Sequence, residues 1–173
     1  MGKGTTKTAR RPVKATGAQK TKGTLTPEEA RVVEFLTTNR IGTLATVDSL
    51  NQPHATTMYF VIDPDLTVYF ITKEETTKCH NLQQNPKAAL AVHEANGQAT
   101  VQLSGTATLV EDPARIEDIY RRVSAIVDAT SETTVPPFSK ISGGRYRCFC
   151  LKPHAVRLAE YGKSGDWPTP LKW

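Results

Sequence analysis

The sequence predicts a mainly β domain with α additions, in which six antiparallel strands form a barrel and short helices occupy the connections. Three observations carry this prediction. Six segments rich in β-formers follow one another in hairpin order, and the helical stretches lie before the first of them or in the connections. There is also no β-α-β alternation and no Gly-x-Gly-x-x-Gly, which excludes a doubly wound dinucleotide-binding sheet.

The first element is a helix. Thr26-Pro27-Glu28-Glu29 supplies a capping hydroxyl, a proline at the first helical position and a carboxylate placed to cap back. Val32, Val33, Phe35 and Leu36 give that helix one apolar side, and it ends near Asn39. Ile41 to Val47 alternates as a half-buried strand, and Asp48 to Gln52 reads as a turn. A second strand is expected over Pro53 to Ile62, then a turn at Asp63-Pro64-Asp65, then a third strand over Leu66 to Thr72.

The period then changes. Glu75 to Gln84 suits a short helix closed by Asn85-Pro86. Ala88 to His93 and Ala99 to Val110 are the fourth and fifth strands, the latter carrying Gly105 at an expected bend or bulge. From Asp112-Pro113, residues Ile116, Ile119, Tyr120, Val123, Ile126 and Val127 form a single helical stripe. Residues 130–144 read as a long loop, and Arg145 to Tyr161 as the sixth strand, broken at Lys152-Pro153.

A chain of 173 residues suffices for one domain burying about 70% of its unfolded surface. No apolar run approaches the ~20 residues that span a bilayer, and the N-terminus lacks the apolar core of a secretory signal. Neither a membrane protein nor a secreted one is expected. Cys79, Cys148 and Cys150 do not make a disulfide framework, and reduced thiols point to the cytoplasm.

The net charge of +5 belongs to one segment. Residues 1–23 carry seven basic side chains and no acid, so the remainder holds 15 basic and 17 acidic groups. With almost no large aliphatic residue, residues 1–23 are expected to be a disordered basic tail, and residues 24–173 the domain. The tail is expected to be solvated; a weak, salt-sensitive contact with a polyanion and a targeting role are the alternatives.

The middle of the chain carries a more specific pattern. "RIGTLATVDSLNQPHATTMYFVIDPDLTVYFIT" followed by "TTKCHNLQQNPKAALAV" resembles the pyridoxamine 5'-phosphate oxidase-related, FMN-binding split-barrel family. The most specific part is Lys78-Cys79-His80-Asn81-Leu82-Gln83-Gln84-Asn85-Pro86, and Pro153 to Leu158 fits the family's closing strand. The resemblance implies a split β-barrel that binds FMN at the interface of a homodimer and acts on a small-molecule substrate.

It implies, too, a phosphate site where the third strand passes into the following helix. Thr72, Lys73, Thr76, Thr77 and Lys78 offer hydroxyls, helix-start amides and two ammonium groups there, a set that suits a phosphate of about −2 charge. Backbone groups of Thr56, Thr57, Met58 and Tyr59 are expected along the edge of the flavin ring, with Phe70, Ile71 and Thr72 facing the same cavity. Barrel core is the competing role for Met58, Tyr59 and Phe70.

Three departures separate the chain from the oxidases that act on pyridoxamine phosphate. The second strand carries neither an Arg nor a Lys, Thr77 stands where they have an Arg, and the C-terminus has no Arg-x-His. Oxidation of pyridoxamine phosphate itself is therefore not expected. An FMN-dependent oxidoreductase is, with a deazaflavin-dependent reductase or a non-catalytic flavin- or haem-binding protein as alternatives. No side chain stands out as an obligatory acid or base, so none is assigned as catalytic, and no metal site is expected.

Cys148-x-Cys150 lacks the partners of a metal site, and Cys79 and His80, adjacent on a helix, point apart. His54, His93 and His154 are the candidate haem ligands, and Trp167 and Trp173 could cover a flavin or pack a partner subunit. Removing residues 1–23 is expected to leave folding and flavin content intact while shifting the pI from basic to mildly acidic. Isoelectric focusing and flavin absorbance of the truncated chain check this, and loss of flavin would make the tail part of the domain.

Overall fold

The computed structural model describes residues 25–94, 98–130, 145–161 and 171–172, so the expected tail, the 130–144 loop apart from Thr130, Trp167 and Trp173 lie outside the described residues. Among the described residues three helices, α1 (Pro27–Thr38), α2 (Thr77–Gln84) and α3 (Pro113–Thr130), accompany eight strands. These are β1 (Ile41–Val47), β2 (Pro53–Tyr59), β3 (Val61–Ile62), β4 (Val68–Lys73), β5 (Lys87–His93), β6 (Ala99–Leu109), β7 (Tyr146–Glu160) and β8 (Leu171–Lys172).

All strands belong to one antiparallel sheet in the order β2-β1-β5-β6-β7-β4-β3, with β8 beside β7. The first and last strands of that order, β2 and β3, are consecutive in the chain. Only Phe60 separates them, so the sheet must curl until its two edges meet. The Phe60 amide donates to the Arg40 carbonyl at 3.1 Å, and its ring is fully buried. One expected strand thus becomes two, because the chain leaves one edge at Phe60 and joins the other.

Inside the curl, Leu36, Leu44, Phe60, Phe70, Leu90, Leu103, Phe149 and Leu151 are buried in one core. Phe70 and Phe149 stack there at 5.6 Å, worth about 0.5–1.5 kcal/mol beyond their burial. α3 covers the outside of the curl. Its stripe buries Ile119, Val123 and Ile126 against Val61 and Cys148, with Tyr59, Tyr69 and Ile71 packed alongside.

The capping box forms as expected, with the Glu29 amide donating to Thr26 Oγ1 at 3.2 Å and the Thr26 amide to Glu29 Oε2 at 2.8 Å. The third strand begins at Val68 instead of Leu66, because Leu66 takes φ 65° to complete the turn while burying its side chain. That conformation costs about 1–2 kcal/mol, which burial of a leucine offsets.

The sixth strand is not broken at Lys152-Pro153; β7 runs through it. The interruption is in register instead. Ser104 pairs with Ala155 and Gly105 with Pro153, leaving His154 as the extra residue of a bulge. Proline is tolerated at such a point. A Cβ on Gly105 would lie 2.1 Å from the Lys152 carbonyl oxygen, so this approach of strands admits only glycine.

Candidate functional site

Two long stretches of strand edge remain open around the curl. Among the described residues β2 pairs only with β1, and β4 meets β3 at Val68 and Tyr69 alone. From Phe70 to Lys73, β4 is paired on one side, to β7. β2 and β4 approach to within 8 Å without sharing a ladder, so the two open edges form the lips of a split. Every cofactor-contacting residue expected from the sequence lies on these lips or on the start of α2, which packs against β1 and β4.

The pleat sorts their side chains. Met58 and Phe70 are buried in the barrel core, so they shape the wall of the split from behind. Phe70, Ile71 and Thr72 do not face one cavity: alternation puts Phe70 and Thr72 on the inner face and Ile71 on the outer, where it meets the α3 cluster with Tyr59. Thr56 is half-buried on the inner face of β2, and Thr57 is exposed on the outer.

At the strand-to-helix junction the hydroxyls are already engaged. Thr76 Oγ1 donates to the Lys73 carbonyl at 2.8 Å, which leaves Thr72 Oγ1 to donate to Thr76 Oγ1, also at 2.8 Å. These bonds shape the turn and withhold both protons from a ligand. Lys73 Nζ lies 3.3 Å from Glu75 Oε1. α2 starts at Thr77, later than Glu75, because Thr76 still donates its amide to the Lys73 carbonyl in the turn.

Lys78 is placed differently. Its side chain is half-buried on the first turn of α2, and burial lowers its pKa from the ordinary lysine value. No ion pair with a carboxylate forms there among the described residues. An anion beside it would restore the stability of the charged form. The amides of Thr77 and Lys78, at a helix start, have no carbonyl a turn earlier to receive them. An ammonium group, helix-start amides and the exposed Thr77 hydroxyl therefore share the first turn of α2, a donor set that suits a phosphate group.

Two long-range bonds fix α2 in this position. Asn81, buried, donates through Nδ2 to Thr46 Oγ1 at 3.0 Å, tying the helix to β1. Arg147 NH2 donates to Glu74 Oε1 at 2.7 Å, tying β7 to the segment before the helix and holding that carboxylate below its usual pKa. Sequence reasoning missed both as positioning residues. Their partners are 35 and 73 positions away, and only the Asn in the Lys-x-x-Asn-Leu pattern hinted at a role.

The cysteines are free, and burial pushes the Cys148 thiol up to about 11, so it packs as a hydrophobe against α3. Among the described residues no group of His, Cys, Asp or Glu could hold a metal, and His54, His93 and His154 sit on three separate strands. No helix among them is long and apolar enough to cross a membrane.

Comparison with curated proteins finds no match. Solved structures do match. A pyridoxamine 5'-phosphate oxidase-related, FMN binding protein from Nostoc punctiforme is 18% identical, with 87% of this chain and 100% of that chain covered and a TM-score of 0.56. An F420 reductase is 23% identical, with 71% and 93% covered and a TM-score of 0.54. A heme binding protein from Mycobacterium smegmatis is 18% identical, with 86% and 60% covered and a TM-score of 0.62. At these identities the likeness is one of fold, and the fold is the split barrel. The family described as pyridoxamine 5'-phosphate oxidase matches residues 28–159, three quarters of the chain. The chain belongs to the pyridoxamine 5'-phosphate oxidase family.

Proposed function

We propose that this protein is an FMN-dependent oxidoreductase that works in the cytoplasm as a homodimer on a small-molecule substrate. The observation that carries the reading is Lys78: a half-buried ammonium without a carboxylate partner among the described residues, on the first turn of α2 beside a split whose lips are open backbone. When bound, FMN supplies two-electron chemistry at its ring. The protein's part is to hold it. Lys78 with the Thr77 and Lys78 amides takes the phosphate, and the open edges of Thr56–Tyr59 and Phe70–Lys73 offer N–H and C=O groups to the ring. Met58 and Phe70, packed behind them, keep those lips rigid. Orientation and water exclusion are the chain's contribution.

A second copy supplies the rest of the enclosure. The outer face of β1, β5, β6 and β7 carries a shallow groove of about 340 Å³ lined by Ala45, Ala89, Ala91, Ser104, Ala155 and Arg157. Small side chains across four strands, alanines on three of them and Ser104 on β6, let another sheet approach closely, and an uncovered face of this kind favours association. FMN that binds only the paired state should raise the melting temperature and shift the equilibrium toward dimer. Sedimentation at several protein concentrations, with and without FMN, checks this; a monomer binding FMN with full affinity would refute the shared pocket.

The cofactor itself is tested by mass spectrometry and absorbance of what native protein releases. FMN is the expected result. A deazaflavin would move the reading to an F420-type reductase, and haem to a non-catalytic binding protein, the two alternatives that the structural neighbours also represent.

A further inference from the structure

A second cavity lies away from the split. It occupies about 280 Å³ between the end of α1, β3 and the middle of α3, and is lined by Thr37, Arg40, Val61, Ile62, Arg121, Arg122 and Ala125. Three of the seven lining residues are arginines, and none is an acid.

The charge balance around it can be followed bond by bond. Asp63 and Asp118 are the carboxylates of this cluster. Arg122 NH1 donates to Asp63 Oδ1 at 2.9 Å and lies 3.4 Å from Asp118 Oδ2, while its NH2 donates to the Ile62 carbonyl at 2.6 Å. Arg115 bonds Asp63 and, at 3.2 Å, Asp118 Oδ2. Arg121 bonds Asp118 Oδ1. Three guanidinium groups thus share two carboxylates. Arg40 uses Nε to cap the Thr37 carbonyl at 2.6 Å, and forms no ion pair with either Asp. Two positive charges remain in excess among these groups, and three of the four cations, Arg40, Arg121 and Arg122, line the cavity. Arginine cannot relieve them by losing a proton.

We propose that this cavity is an anion site for a phosphate group, free or carried on a small organic molecule. A dianion matches the excess charge, and the forked donors of Arg40 and Arg121 suit its oxygens. Val61, Ile62 and Ala125 provide an apolar side on which the carbon part of an ester would rest. A cation finds no acid to bind, and the volume exceeds what a lone halide would fill.

Calorimetric titration of the full chain with inorganic phosphate, against chloride at equal ionic strength, tests the proposal. Glycerol phosphate serves as a second arm that separates free phosphate from an ester. Because Lys78 would also attract phosphate, the titration is repeated in Lys78→Gln, so that failure here is distinct from failure of the FMN reading. Binding that survives Lys78→Gln and weakens about tenfold or more in Arg40→Gln/Arg121→Gln is the expected result. Ala125→Glu, which sets a carboxylate in the wall where it can pair with Arg121 and Arg122 in place of the anion, should abolish binding and serves if the double variant unfolds. Absence of phosphate binding beyond chloride, or binding lost with Lys78→Gln alone, overturns the site.

Discussion

Replacing Lys78 by alanine is expected to weaken FMN about tenfold or more while leaving riboflavin nearly unchanged. The two ligands differ only in the phosphate, so the difference isolates the contact. A charge-assisted hydrogen bond is worth about 1.5–3 kcal/mol, and each ~1.4 kcal/mol is a factor of ten in affinity. The effect should fall on Lys78 and not on its neighbour. Lys73 already lies 3.3 Å from Glu75, and its replacement removes an ammonium group whose charge is locally compensated. Thr72→Val and Thr76→Val should act through the turn they hold, lowering both flavins alike. Fluorescence titration of flavin-free protein with FMN and riboflavin provides the measurement. Equal losses for the two ligands at Lys78 would take that residue away from the phosphate.

Gly105→Ala is expected to be among the most destabilising single substitutions on the strands. A new methyl group would sit 2.1 Å from the Lys152 carbonyl oxygen and 2.8 Å from the Pro153 Cα. Backbone atoms are in the way, and they cannot rotate aside as a side chain does. Relief requires the bulge to open, which would disturb the pairing on both sides of Ser104/Gly105. Overpacking of this kind costs about 1–3 kcal/mol or more, which for a domain of this size lowers the melting temperature by about 2–12 °C. Thr106→Ala, exposed on the next position of the same strand, should change stability by about 0.5 kcal/mol at most. An unaltered melting temperature for Gly105→Ala would show that the bulge shifts at no cost.

The parts of the fold that sequence patterns displayed were those set by local chemistry. The capping box at Thr26, the stripe of α3 and the alternation of β1, β5 and β6 each arise from residues within one or two turns of one another. The junction at Phe60 was not legible, because nothing around Tyr59-Phe60-Val61 signals that the chain changes edges of the sheet. Pro153 suggested a break in β7, whereas the bulge opposite Gly105 absorbs it, a solution visible only once both strands are paired. The candidate site was legible as a set of segments. Which side chains in it stay available was not, since Thr72, Thr76 and Lys73 are engaged by partners close in sequence whose geometry only the folded turn defines.

The position of β4 in the sheet also sets the order in which a growing chain can fold. β1 with β2, and β5 with β6, are neighbours in sequence and can pair while synthesis continues. β4 cannot. Its ladder joins Val68 to Leu151 and Tyr69 to Cys150, about 80 residues downstream. Closing a loop of that length costs entropy before any contact rewards it. Until β7 leaves the ribosome, Val68-Tyr69-Phe70-Ile71 is a bare strand of strong β-formers with no partner beyond the two residues of β3. That interval is when the nascent protein is most exposed to pairing with another copy of itself, so its yield should respond to holding chaperones and to the rate of translation through residues 74–151.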